Sequence, residues 1–353
     1  MKSILSIFFL LSFSVCASAK FITIEVGTNA DFRGLSVVNK DVIWASGTGG
    51  TVIRTTDGGD SWNVIKVPNA EKLDFRDIEA FDENTAYILS IGNGASSRIY
   101  KTTDGGKTWR LQLQNTDEKG FFDSMAFWDE NNGIVQGDPV NGKFVFYRTN
   151  DGNNWNRLDE QNMPLAEVGE AAFAASGTSV IADGNDRVWL ATGGSDARIF
   201  FSDNKGDSWK EYSAPFSSGT AGSGIFGMTV RARNNLVAVG GNYEKPDESN
   251  KVGAYSTDGG RKWKSGIGLR GYRSAVTWVD KNQLIAVGTN GADRSKNGGK
   301  TWLGIDDDNY NAIQAKGEKS IWAVGPKGLV KHWDPSSPLK TFKRVTKAIK
   351  VIT

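Results

Sequence analysis

The sequence predicts an all-β fold, a seven-bladed β-propeller closed by its own N-terminal strand. Three observations carry this expectation. The chain is rich in glycine and aromatic residues, with 42 Gly, 12 Trp and 18 Phe, and no long stretch has helical periodicity. Short apolar runs such as "VIWAS", "AYILS", "LVAVG" and "LIAVG" are bounded by Gly, Asn and Asp, as strands are. A turn ending in tryptophan recurs as "RTTDGGDSW", "KTTDGGKTW", "RTNDGNNW", "FSDNKGDSW", "YSTDGGRKW" and "RSKNGGKTW".

The chain begins with "MKSILSIFFLLSFSVCASAK", which has one early lysine, an apolar run and then Ala17-Ser18-Ala19. That is the pattern of a secretory leader, cleaved after Ala19. The expected organisation is a signal peptide over 1–19, the propeller over 20–334 and a C-terminal tail over 335–353. Export to the periplasm or the exterior follows. Cys16, the only cysteine, leaves with the leader, because Val15 before it does not suit a lipid-anchor site. The mature chain therefore has no disulfide, thiolate metal site or cysteine nucleophile. No later segment is apolar enough to span a bilayer. Without Lys2 the chain carries 41 basic against 40 acidic residues, a balance with no nucleic-acid footprint. A lone His332 leaves little histidine chemistry. No metal or other cofactor is expected, and the chain is read as a monomer.

The repeat length sets the architecture. Trp62, Trp109, Trp155, Trp209, Trp263 and Trp302 are separated by 47, 46, 54, 54 and 39 residues, which suits one four-stranded blade per repeat. A second motif opens each repeat: "DFRGLSVV" (31–38), "DFRDIEAF" (74–81), "FFDSMAFW" (121–128), "VGEAAFAA" (168–175), "GIFGMTVR" (224–231), "GYRSAVTW" (271–278) and "NYNAIQAK" (309–316). Openings number seven and tryptophan turns six. The last repeat, "WAVGPKGLVKHW" (322–333), breaks into "DPSSPLK", while "FITIEVGTNADFRG" (21–34) matches "WNVIKVPNAEKLDFRD" (62–77). The N-terminal segment thus supplies the strand that the seventh blade lacks and leaves no open edge.

The turns are structural. Asp57, Asp104, Asp151 and Asp258 are short enough to accept backbone N–H bonds a few residues on. Asn204 and Asn297 replace the acid in two copies, which a turn tolerates and a catalytic carboxylate does not. The tryptophan beside each turn buries a large ring, contributing ~3 kcal/mol or more. Glycines in "SGTGG" and "ATGGSD" follow strands but open no helix, so they read as turns rather than phosphate cradles.

These turns resemble the Asp-box, or bacterial neuraminidase, repeat. Within that group, residues 30–333 are similar to the photosystem II stability/assembly factor-like proteins, through "FRGL", "WASGTGGTVIRTTDGGDSW" and the "WAVGPKG" ending. The resemblance implies a seven-bladed scaffold without known catalysis. Sialidases, xyloglucan-cleaving endoglucanases and sortilin-type receptors share the box, so it identifies a fold and leaves function open.

Function is expected on the rim opposite the turns. The opening motifs place Arg33, Arg76, Asp123, Glu170, Phe226, Arg273 and Asn311 around the channel mouth, differing blade by blade as a tailored surface does. Solvated strand starts with local salt bridges worth under ~1 kcal/mol each are the plainer reading. Two long polar loops on the same rim, "QGDPVNGKF" (136–144) and "GGNYEKPDESNK" (240–251), add Asp138, Asn242, Tyr243 and Glu244. The leading reading is a non-enzymatic exported propeller that binds a protein or peptide through this rim. The alternative is a glycoside hydrolase with Asp123 and Glu170 as its acid and base or nucleophile, and Arg33, Arg76 and Arg273 on a substrate carboxylate. Against it, "DFRGL" lacks the sialidase Phe-Arg-Ile-Pro signature and no Tyr–Glu nucleophile pair is evident.

The export reading makes a direct prediction. The intact mass of the protein recovered after expression in a secreting host is expected to begin at Lys20, and a mass retaining residues 1–19 or a lipid on Cys16 contradicts it.

Overall fold

The second strand of each blade holds that blade's continuous apolar run because it is covered on both faces. Ile43–Gly47 and Ala86–Ser90 are buried at every residue, whereas the fourth strand Asn63–Lys66 is mostly exposed. A computed structural model of the chain describes residues 20–334, and the predicted leader and tail lie outside them. The described residues form seven antiparallel sheets. Their innermost strands are Phe32–Val37, Phe75–Ala80, Phe122–Asp129, Val180–Asp183, Ser223–Arg231, Ala275–Trp278 and Ala312–Ala315. The fifth sheet carries two extra short strands on its inner side, Glu170–Ala171 and Gly193–Gly194.

Closure is by the N-terminus. Lys20–Ile24 pairs antiparallel with Val330–Asp334, with Phe21 opposite Trp333 and Ile22 opposite His332. The ring of the Phe21 side chain packs edge-on against Trp333, centroids 5.0 Å apart.

The core is divided among the gaps between blades. Trp322, Val324 and Val330 of the last blade meet Phe32, Ile43 and Ile53 of the first. Corresponding clusters fill each of the other gaps. Around the channel, inner-strand N–H groups are satisfied by a side chain from the preceding blade. Ala80 N donates to Ser36 Oγ (3.0 Å), Met125 N to Asp77 Oδ2 (2.7 Å), Val180 N to Ser124 Oγ (3.1 Å) and Ala315 N to Thr277 Oγ1 (3.2 Å). Val37 N likewise donates to Gln314 Oε1 across the closing gap. These edges would otherwise leave orphan donors.

The tryptophan turns hold the opposite rim. Asp57 Oδ1 accepts from Thr55 Oγ1 (2.6 Å) and Ser61 N (2.9 Å), and Gly59 N donates to Thr55 Oγ1 (3.0 Å). Asn204 Oδ1 accepts equivalently from Ser202 Oγ (2.8 Å) and Ser208 N (3.0 Å), so an acceptor is all the position needs. Hydrogen bonds to the turn hold the Asp57 and Asp104 carboxyls down at about 2, led in each by the hydroxyl of Ser61 or Thr108. Each turn is also tied to the first hairpin of its own blade, as in Gly58 N to Asp41 O (2.9 Å) and Gly105 N to Asn84 O (3.0 Å).

The tryptophans act across blades and stay half-buried, apart from buried Trp302. Trp62 lies edge-on to Trp322 of the preceding blade (5.6 Å), and Trp209 stacks on Phe146 (4.7 Å). Gly59 has φ +96° and sits so close to this contact that a Cβ would lie 2.4 Å from the Trp322 ring. Glycine is needed there both for its backbone and for its lack of a side chain.

Removing residues 20–24 takes away the whole closing strand and exposes the edge of Val330–Asp334. The shortened chain is expected to melt far below the intact one and to aggregate; equal melting curves in a thermal scan contradict closure by this strand.

Candidate functional site

Bulges aim the mouth residues. In four blades the innermost strand skips one pairing step at its start, between Phe32 and Gly34, Phe75 and Asp77, Phe122 and Ser124, and Ile225 and Gly227. Arg33, Arg76, Asp123 and Phe226 are the residues left out of register, a device that re-aims a side chain. Pairing of Ala275 with Val287 and Ala312 with Val324 makes Ser274 and Asn311 their counterparts. In the fourth blade the counterpart is Thr178, because Ala191 N bonds Ser179 O just before Val180–Asp183.

Two residues expected in this ring stand elsewhere. Arg273 takes the place that Phe32 has in the first blade: its N–H bonds Gly240 O (2.9 Å) as that of Phe32 bonds Gly325 O (3.0 Å). Its side chain is fully buried, with Nε 2.8 Å from Asp293 Oδ2 and Nη1 2.6 Å from Tyr272 O. Glu170 lies in a segment inserted before the fourth blade. Its carboxylate is buried against Arg198, with Thr192 Oγ1 (2.5 Å) and Glu167 N (2.9 Å) as further donors. Asp123 and Glu170 are therefore not brought together as an acid and a base.

The insertion instead enters the mouth. Arg33 Nη1 donates to Ala175 O and Arg76 Nη1 to Ala174 O, both at 3.3 Å. Phe173 lies flat on Phe226, centroids 3.8 Å apart and planes 7° apart, and Tyr272 meets Phe226 edge-on. Ser176 Oγ donates to Ser274 O (2.9 Å). At the inner end of the segment Gly177 has φ +75° and sits over the Asp77 carboxyl, where a Cβ would clash at 2.1 Å. Phe173 gives no signal in sequence, because "AAFAAS" has neither turn residues nor charge.

What remains open is a cavity of about 450 Å³. Arg33, Arg76, Asp123, Asp138, Tyr243 and Asn311 all line it, with Phe173, Phe226, Tyr272 and Ser274. A second hollow of about 460 Å³ shares Phe121, Asp138 and Ala171 with it and is also lined by Val168, which is 98% exposed. Asn242 turns inward, accepting from Glu244 N (2.9 Å), and neither residue lines the cavity. Asn311 Nδ2 donates to Phe32 O (2.8 Å), so it ties the last blade to the first.

Charge is divided around the mouth. Burial, and then Arg76, holds the Arg33 guanidinium below its ordinary value. Arg76 Nε pairs with Asp74 Oδ2 at 2.8 Å. On the next blade burial raises the Asp123 carboxyl well above the usual range, with Asp138 adding to it, and burial pushes Asp138 up to about 6. Lower in the channel, burial raises Glu79 to about 7 and Asp77 strongly, with Glu79 adding to the latter. Such a mouth offers cationic donors, carboxyl acceptors and aromatic faces within one concave site.

The seven closed four-stranded blades define the class: an all-β seven-bladed propeller. Among solved structures the chain is similar to "YCF48 bound to D1 peptide", at 16% identity over 89% of this chain and 96% of that one, TM-score 0.65. It is also similar to YCF48 from Cyanidioschyzon merolae, at 17% identity over 89% and 99% of the two chains, TM-score 0.66. Virginiamycin B lyase from Staphylococcus aureus superposes over 90% of this chain and 99% of its own, at 13% identity and TM-score 0.64. At these identities the likeness is one of fold. No family model matches the chain, and no curated protein matches it in sequence.

The raised carboxyls predict how stability varies with pH. A carboxyl whose folded value lies above its unfolded value binds more protons when folded, so stability falls as pH rises between the two. With unfolded values near ~4 and folded values of about 6 and 7 for Asp138 and Glu79, the protein is expected to melt higher at pH 5 than at pH 8. Asp138→Asn and Glu79→Gln should each flatten that difference in thermal melts, and a slope unchanged in both contradicts the assignment.

Proposed function

We propose that this chain is a non-enzymatic exported propeller that binds a protein or peptide partner at the channel mouth, resembling the photosystem II stability/assembly factor-like proteins. One observation carries the reading: Arg33 and Arg76 already hold the backbone carbonyls of an irregular segment, Ala174 and Ala175. The same forks suit the backbone oxygens or carboxylates of an incoming peptide. The solved YCF48 structure with a D1 peptide supports the class of partner. The shared acceptor role of Asp57 Oδ1 and Asn204 Oδ1 toward the turn backbone supports reading the turns as Asp-boxes with a bracing role.

Glycoside hydrolysis through Asp123 and Glu170 loses its support, since both Glu170 oxygens are engaged by the buried Arg198 guanidinium.

The test separates mouth from brace. Arg33→Ala with Arg76→Ala is expected to abolish capture of the partner from envelope extract of the source cells while changing the melting temperature little. Trp109→Ala, which removes a half-buried inter-blade ring, should cost ~2–4 kcal/mol of stability. Capture unchanged in the arginine variant contradicts the proposed surface. Glycoside turnover lost on Asp123→Asn contradicts the non-enzymatic reading.

A further inference from the structure

The sign of the mouth changes between the second blade and the third, and the acidic side is incomplete. Asp123 is 1% exposed and lines the cavity, yet it has no ion-pair partner among the described residues. Its one side-chain hydrogen bond comes from Gln136 Nε2 at 3.2 Å. Gln136 is fully buried, and its other end, Oε1, has no donor at all. Asp138, lining the same cavity, accepts only from Ala172 N at 3.0 Å. Elsewhere the fold neutralises its buried carboxylates: Glu170 pairs with Arg198, and Asp293 with both Arg270 and Arg273. Asp77 and Glu79 also lack a cation, but they do not line the cavity. The third blade thus presents two carboxyls without a cation at the cavity, and behind Asp123 a buried amide oxygen without a donor.

We propose that Asp123 and Asp138, with the Gln136 amide holding Asp123 from behind, form a subsite for the ammonium or guanidinium group of a basic side chain in the partner peptide. Resting on the peptide-binding reading above, this makes the cavity selective for a segment that carries an acidic and a basic residue close together. The acidic residue goes to Arg33 and Arg76, and the basic one goes to the next blade. A lysine or arginine brings several N–H donors and one positive charge, which is what two carboxyls without a cation lack. A metal ion is the poorer fit, because no group of three His, Cys, Asp or Glu side chains among the described residues is placed to hold one. Phe226, Tyr243 and Tyr272 wall the space and favour the weakly hydrated guanidinium, which stacks on such faces.

The test is an array of short Gly/Ala/Ser peptides carrying glutamate only, lysine or arginine only, both, or neither, probed with the full chain. Wild type is expected to retain the doubly charged peptides about tenfold over the glutamate-only set. Asp123→Asn with Asp138→Asn should lose the demand for a basic residue and keep the demand for glutamate; Arg33→Ala with Arg76→Ala should do the reverse. Wild type that holds glutamate-only peptides equally well, or an asparagine variant that keeps the basic preference, overturns the subsite and leaves peptide binding standing. Retention of no peptide overturns the peptide reading and the subsite with it. If the double asparagine variant fails to fold, Asp138→Asn alone carries the test, because asparagine keeps the acceptor for Ala172 N. Calcium or zinc that displaces the doubly charged peptides from wild type but not from Asp138→Asn would assign the subsite to a metal and overturn the proposal.

Discussion

Each blade of this protein is a sheet that must be covered on both faces, and only another blade can cover it. That condition governs the rest of the structure. The apolar clusters lie between sheets, so a blade taken alone has half a core on each side. The inner N–H groups of a blade are completed by the side chains of the blade before it, as Ala80 is by Ser36. The tryptophan of each turn reaches back in the same direction, as Trp62 does to Trp322. Stability is therefore cooperative around the ring, and the pairing of Lys20–Ile24 with Val330–Asp334 completes the circuit.

The same condition decides where a binding site can be built. On the rim of the tryptophan turns, each loop is tied both to its own first hairpin and to the neighbouring blade, which leaves little room for change. On the other rim the third and fifth blades extend their second strands, Asn132–Val140 and Asn235–Asn242, to carry Asp138 and, just beyond the strand, Tyr243. Charges sit at that mouth because bulges take Arg33, Arg76 and Asp123 out of the ladder without breaking the sheet below.

Much of this was legible in the chain. Turn chemistry repeats as letters, and "FITIEVGTNADFRG" matches an internal repeat, so the closing strand is legible in the sequence. Register at the mouth was less so. "GYRSAVTW" echoes the first blade's Phe-Arg with Tyr-Arg, but the sixth blade starts one residue later and Arg273 folds onto Asp293, a partner twenty positions on that no local pattern announces. "VGEAAFAA" looked like a strand opening because its apolar residues are small and continuous; the true strand is "VIAD" at 180–183, displaced by an insertion that the repeat spacing absorbed. Asp138 and Tyr243 were found through loop length. Phe173 was not, since stacking on Phe226 depends on where the insertion ends up rather than on what surrounds it in sequence.

The joining of the two chain ends has a consequence for biosynthesis. Six blades can assemble one after another as the polypeptide is made, each on the previous one. The last cannot, because its outer strand, Lys20–Ile24, precedes every other described strand in the chain and its third strand, Val330–Asp334, follows them all. Lys20–Ile24 must therefore wait, unpaired and partly apolar, through almost the whole of translation. Throughout that interval the nascent chain carries two exposed sheet edges, at its start and at its growing end, and depends on the cell to keep them from each other's neighbours until the circle is complete.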